Sequence, residues 1–190
     1  MNELLDFLHS VHPLSPGLRQ YLQNVLQLKV LPKKEYLLKT GQVCNRIYFI
    51  ESGIVRCFYV KYEKEICSWF MKEGDVIISV ESFFTQQPSY ESIQALEDCV
   101  LHSIRHEELQ YIFREFPEFN FIARILTERY YTLSEQRLYS LRMERAYERY
   151  HHLITKHAEL VQRVPSTFIA SYLGITLETL SRIKHARALK

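Results

Sequence analysis

STFIASYLGITLETLSRIKHAR, residues 166–187, reads as two short helices joined by a glycine turn, the second helix basic. Phe168, Ile169, Tyr172 and Leu173 recur three and four apart, which is the buried stripe of a first helix. Ser166 is its expected N-cap, and Gly174 stands where a C′ residue takes φ > 0 at little cost. Thr176 then caps the following helix, with Glu178 near the positive end of its dipole and Leu180 and Ile183 facing inward. This is the outline of a helix-turn-helix, so the chain is expected to read double-stranded DNA.

The division of side chains on the second helix suits that chemistry. Leu177, Glu178, Ser181, Arg182, Lys184 and His185 are left on the outward and flanking surfaces. Arg182 is the candidate for a bidentate contact to guanine, and Glu178 accepts from a cytosine amino group or orients Arg182. Thr176, Ser181, Lys184 and Arg187 suit phosphates, which position a domain without specifying sequence. Ser166 and Thr179 complete the candidate contact set. Lys184, His185 and Arg187 also read as a solvated helix end that complements the C-terminal dipole.

Charge separates this region from the rest. Residues 1–136 carry 14 Lys/Arg against 18 Asp/Glu, whereas residues 137–190 carry 10 against 4, inside an overall charge of only +2. A basic module appended to a mildly acidic one fits a polyanion partner. No run of about 18 apolar residues and no secretory leader is visible, so a cytoplasmic protein without a membrane partner is expected. Cys44, Cys57, Cys67 and Cys99 are scattered through apolar sequence without a C-x-x-C pair, and read as buried free thiols.

Upstream, Ser15 and Pro16 open a helix carrying Leu18, Leu22, Val25 and Leu26, after a first helix over residues 2–8. From residue 28 short β-branched and aromatic runs alternate with turns at Gly41, Gly53, Glu63, Gly74-Asp75 and Pro88, the pattern of an antiparallel barrel or sandwich. Helical spacing resumes after His106. Phe119, Ala123, Leu126, Tyr130 and Leu133 then form one seam, the expected dimer interface, while Phe121, Ile122 and Ile125 form a second apolar set. Residues 134–140 look like a hinge, and 141–158 like another amphipathic helix that buries Leu141, Ala146, Tyr150, Leu153 and Ile154.

ASYLGITLETLSRIKHA resembles the helix-turn-helix signature of the Crp/Fnr family of transcription factors, matching at Ala170, Leu173, Gly174, Thr176, Glu178, Thr179, Leu180, Ser181 and Arg182. GQVCNRIYFIESGIVRCFYV and FMKEGDVI are similar to that family's β-roll, through Gly41, Tyr48, Gly53, Gly74 and Asp75. The resemblance implies an α+β chain: a β-roll (jelly-roll) sensor domain over 1–116, a dimerisation helix and hinge over 117–140, and a small all-α DNA-binding domain over 141–190. It also implies a homodimer on a two-fold operator, with RNA polymerase as a further partner. The chain stops at Lys190 and the connection before Ser166 is short, so the wings beside the motif are expected to be reduced or absent.

The sequence departs from the family where cyclic AMP would bind. The family's phosphate cassette, approximately F-G-E-L and then R-[ST], is replaced by Ile77 to Glu81 and by Pro88 to Glu91, without its glycine or arginine. Ser79, Val80, Glu81, Ser89, Tyr90 and Glu91 therefore line a degenerate pocket. Seating a phosphodiester anion near Glu81 and Glu91 without an arginine costs several kcal/mol, so cyclic AMP is not an expected ligand. An uncharged or cationic effector, or filling by Phe83, Phe84 and Tyr90, remain the alternatives. Leu177 stands where the family often has arginine, which predicts a shifted half-site, with a thymine methyl as its contact.

Other functions fit less well. No H-x-H strand pair, nucleophile elbow or phosphate loop occurs, so no enzyme, metal site or cofactor is expected. An iron-sulfur sensor needs clustered N-terminal cysteines, but the first is Cys44, and His102 in the strand region reads as structural. The rival is a ligand-binding regulatory module that acts through protein partners without touching DNA.

Overall fold

The N-cap at Ser15 forms as its sequence predicts. In the computed structural model, which describes residues 2–188 and the side chains of residues 3–186, Ser15 Oγ accepts the Leu18 N–H at 3.2 Å. It thereby opens α2 (Pro16–Val25), which follows α1 (Asn2–Val11). The same hydroxyl donates to Glu118 Oε1 at 2.6 Å, tying this early turn to a helix a hundred residues away.

Eight strands follow: β1 (Gln27–Leu31), β2 (Tyr36–Leu38), β3 (Arg46–Ser52), β4 (Val55–Lys61), β5 (Lys64–Met71), β6 (Val76–Ile77), β7 (Ser92–Ala95) and β8 (Cys99–Arg105). They form two four-stranded sheets, ordered β1-β8-β3-β6 and β2-β7-β4-β5. The first is antiparallel, with Ile50 opposite Leu101 and Tyr48 opposite both Ser103 and Ile77. Ile50, Ile77 and Leu101 of this sheet are fully buried, as are Ile54 before β4 and Ile93 of the second sheet. Gly53 joins β3 to β4 at φ +98°, where an added Cβ would lie 2.5 Å from Cys99 Sγ and 2.8 Å from the Asp98 carbonyl. Neither the backbone angle nor the space admits another residue without displacement. All four cysteines are free and buried.

A short helix, α3 (Val80–Thr85), interrupts the strands, and α4 (His106–Glu115) and α5 (Pro117–Met143) follow them. Helix α5 runs for 27 residues, straight through the expected hinge at 134–140. That segment, SEQRLYS, contains no glycine or proline and several strong helix formers, so nothing in it breaks the backbone ladder. The break falls at Glu144-Arg145, where the Arg145 N–H donates to Glu148 Oε2 at 2.7 Å and opens α6 (Ala146–Lys156). Tyr150 and Leu153 of α6 are buried, but Leu141 is exposed and belongs to α5.

Three more helices complete the described chain: α7 (Ala158–Arg163), α8 (Ser166–Tyr172) and α9 (Leu177–Ala188). No strand lies between α6 and α8 among the described residues; the connection is the short helix α7. The chain divides into two compact units, residues 1–57 with 71–129 and residues 58–70 with 130–190. The division falls inside α5 and groups the β4–β5 hairpin with the C-terminal helices, unlike the expected boundaries after 116 and 140. No helix among the described residues is long and apolar enough to cross a membrane.

Candidate nucleic-acid interface and sensor pocket

In the second unit, the turn between α8 and α9 is built by local hydrogen bonds. Gly174, at φ +66°, donates its N–H to Ser171 O, and the Ile175 N–H reaches Ala170 O, both at 3.0 Å. This double closure is the helix C-terminus that favours glycine. Thr176 Oγ1 accepts the Thr179 N–H at 3.1 Å, and Leu180 N–H bonds to Thr176 O, so Thr176 caps α9.

The cap of α8 is not Ser166. Pro165 holds that position, with its carbonyl accepting from Phe168 and Ile169, because its extended backbone precedes the first helical residue. Ser166 Oγ instead accepts Lys184 Nζ at 2.9 Å, linking the starts and ends of the two helices.

Ile169, Ala170, Leu173 and Leu180 are buried, which fixes the two helices against each other. Thr176, Leu177, Glu178, Ser181, Arg182 and His185 are exposed, while Thr179 and Lys184 are half-buried. Arg182 Nη2 donates to Glu178 Oε1 at 2.9 Å, one helical turn back, and both side chains are more than two-thirds exposed. The carboxylate therefore orients the guanidinium rather than burying it. The Arg187 side chain lies outside the described residues.

The support beneath α8 had no signature in the sequence. Ser171 Oγ accepts the Cys67 N–H at 2.9 Å and donates to Glu65 O at 3.2 Å, so strand β5 grips the last turn of α8. Phe70 meets the Tyr172 ring at 5.1 Å. From α5, the Arg137 guanidinium lies 3.5 Å from the centre of the same ring and donates to Tyr172 O. From α6, Arg149 Nε donates to Leu173 O at 2.9 Å. These contacts join residues 24 to 106 positions apart, beyond the reach of any local pattern.

In the first unit, the degenerate cassette separates into two groups. Ser79 and Ser89 are buried, with hydroxyls 2.9 Å apart. Ser89 Oγ donates to Glu91 O at 2.9 Å and accepts the Glu91 N–H at 3.1 Å. The half-buried Glu91 carboxyl is pushed above its ordinary value of 4.5 by burial, an effect opposed by a hydrogen bond from Ser79. Val80, Glu81 and Tyr90 are exposed and do not line this pocket with them. Phe83 is fully buried, but Phe84 and Tyr90 are more than half exposed, so the expected aromatic filling reduces to Phe83. Ser82 and Cys44 complete the cluster, the Cys44 N–H donating to Ser82 Oγ at 2.9 Å. A cavity of about 410 Å³ opens beside it, lined by Gln42, Cys44, Arg46, Tyr48 and Ile93 among others. His102 is buried, with Nε2 against Glu51 Oε2.

The seam expected on α5 is corrected at Phe119, which is buried and packs its ring 5.8 Å from Phe113 in the first unit's own core. Ala123, Leu126, Tyr130 and Leu133 are half-buried. The exposed large apolar side chains of α5 include Tyr131, Leu138 and Leu141, seven and three apart and offset from the expected seam, together with Phe121, Tyr139 and Met143. Ile122 is fully buried, whereas Phe121 is 41 % exposed.

Comparison with known proteins places this arrangement. Residues 28–116 match the cyclic nucleotide-binding domain family. The chain is 27% identical over 176 residues to the anaerobic regulatory protein of Haemophilus influenzae, covering 85% of this chain and 67% of that one. Among solved structures, a candidate transcriptional regulator of the Crp/Fnr family from Eubacterium rectale superposes with a TM-score of 0.75 at 15% identity, over 97% of this chain and 88% of that one. A mutant of CooA from Carboxydothermus hydrogenoformans gives 0.72 at 20% identity, over 95% and 83%. Residues 28–116 thus match the cyclic nucleotide-binding domain family, and the chain as a whole shares the fold of these solved regulators.

Proposed function

We propose that this chain is a cytoplasmic transcriptional regulator that binds a two-fold operator as a homodimer and does not use cyclic AMP as its effector. The observation that carries the DNA-binding part is the α8–Gly174–α9 arrangement. Buried Ile169 and Leu180 anchor it, while Leu177, Glu178, Ser181 and Arg182 stand exposed along the second helix. In that role Arg182 addresses guanine, Leu177 a thymine methyl, and Thr176, Ser181 and Lys184 the phosphates. Two copies joined along α5 would present two such helices about one DNA turn, roughly 34 Å, apart. Tyr131, Leu138 and Leu141, exposed on one stretch of α5, support that pairing. RNA polymerase is the further partner that a promoter-bound regulator meets.

The cassette supports the rejection of cyclic AMP. Its buried polar atoms are committed to one another, and the ionisable group among them is an acid. A phosphodiester entering there would break the Ser79–Ser89 contact and meet Glu91 with no arginine inside the cassette, the nearby Arg46 being engaged with Ser103 Oγ at 3.0 Å.

A mobility-shift experiment with the DNA upstream of the chain's own gene, run at low salt where phosphate contacts are strongest, tests the first part. A shift that survives competition by random DNA is expected. No shift would sink the DNA-binding reading in favour of a module acting through protein partners. Calorimetry with cyclic AMP is expected to give no micromolar isotherm, and a clear one would overturn the reading of the cassette.

A further inference from the structure

We infer that a cleft in the second unit is a binding site for a small organic anion with a flat apolar body. The cleft, about 530 Å³, opens among the C-terminal part of α5, α6, the end of α8 and Trp69 of β5. Its size is that of a small-molecule pocket. Arg137, Arg149 and Lys156 line it beside the rings of Trp69 and Tyr139.

The charges in this wall are unmatched. Arg137 and Arg149 are both half-buried, and burial, with a smaller contribution from the neighbouring Arg149 charge, lowers the pKa of Arg137. Neither forms an ion pair among the described residues: Arg137 meets the Tyr172 ring and carbonyl, and Arg149 meets the carbonyls of Leu173 and Glu144. Lys156, on the same wall, has no hydrogen bond or ion pair among the described residues. Glu135 and Glu144 also line the cleft, but Glu144 is committed to Ser140 Oγ at 2.6 Å and His152 Nδ1 at 3.2 Å.

Withdrawing a guanidinium from water is costly unless an anion accompanies it. Two together, neither ion-paired to the carboxylates that line the same cleft, leave a place for an anion, and their planar forks suit carboxylate or phosphate oxygens. The indole and phenol rings at the wall favour a flat ligand body. Arg137 and Arg149 also hold the carbonyls of Tyr172 and Leu173 at the end of α8, so an anion bound to them tightens the support of the turn before α9. That last consequence rests on the DNA-binding reading above, but the binding itself does not.

The test is calorimetric titration of the full chain with phenyl phosphate, alongside benzoate, inorganic phosphate and the cation phenethylamine. Saturable binding of phenyl phosphate is expected, weaker binding of benzoate and inorganic phosphate, and none of phenethylamine. Lys156→Ala removes no internal contact and is expected to weaken binding about fivefold, and Arg149→Gln at least about tenfold. Circular dichroism of each variant checks that the helices are intact. Three results would overturn the proposal: no saturable heat with any anion up to about 10 mM, equal affinity in wild type and both variants, or loss of binding in Ser89→Ala with retention in Lys156→Ala, which would move the site to the roll. Because the readout is small-molecule binding, its failure is distinct from a failure to shift DNA.

Discussion

The cassette of the first unit and the α8–α9 region of the second both contain clustered polar side chains, but they spend them differently. Ser79, Ser89 and Glu91 hydrogen-bond to one another indoors. Glu178, Ser181, Arg182 and His185 face solvent, and the nearby Arg137 and Arg149 satisfy only part of their donor capacity, on backbone carbonyls. A buried network that is already closed gains little from an incoming anion and must first be broken. Exposed or incompletely matched cations gain directly from one. The difference teaches that, in a chain of this type, the site of anion recognition is identified by unspent hydrogen-bonding capacity, and not by the position that a relative's ligand occupies.

This contrast can be broken most sharply at two glycines and two charged residues. The largest expected effect on stability is Gly53→Ala in the roll, where strain at positive φ adds to overpacking against Cys99 and Asp98, for a loss of about 3 kcal/mol in urea unfolding. A loss under about 1 kcal/mol would mean that this turn yields more readily than its packing implies. Next comes Arg182→Ala, expected to leave stability within about 0.5 kcal/mol while removing about 1–3 kcal/mol of discrimination between operator and random duplex. Retained discrimination in a binding competition would remove Arg182 from its role. Gly174→Ala should cost about 1 kcal/mol, since only the backbone angle opposes it and the nearest atom, Leu141 Cδ2, is 3.5 Å away.

The smallest effect concerns Glu91. Its pKa is raised in the folded chain, so the native state holds the proton more tightly than the unfolded one. The associated stabilisation is full below pH 4.5 and is lost as pH rises through the folded value. Glu91→Gln should therefore raise the melting temperature at pH 7 relative to wild type and flatten its pH dependence above 4.5. Identical melting profiles for the two proteins would show that the carboxyl is better solvated than its position suggests.

Where the sequence was legible, the determining interactions were short. Gly174, Thr176 and the stripe from Phe168 to Leu173 act within one or two helical turns, so capping chemistry and periodicity fixed both their conformation and which residues stand outward. The replacement of the cassette's glycine and arginine was equally plain, since it concerns residue identity alone. Errors arose where competing local signals were weak. The serines of 134–140 suggested a hinge, but helix propensity carried α5 to Met143. Ser166 outranked Pro165 as a cap by residue type, yet proline's extended backbone placed it first. The seam on α5 was ambiguous because aromatic and aliphatic residues lie on more than one face, and burial assigned Phe119 and Ile122 to the first unit's core.

Residue identity and near-neighbour chemistry alone determined the strand-rich first part, the helix-turn-helix with its outward Arg182, and the absence of a phosphate-binding arginine. Only the tertiary structure decided that Ser79 and Ser89 close on each other, that Ser171 is gripped by β5, and that Arg137 and Arg149 meet beside one cleft without an ion-pair partner among the described residues. The reason is physical: caps and periodicity are settled by interactions between residues a few positions apart. The matching of buried charges depends on which distant segments packing brings together, and that is a property of the whole folded chain.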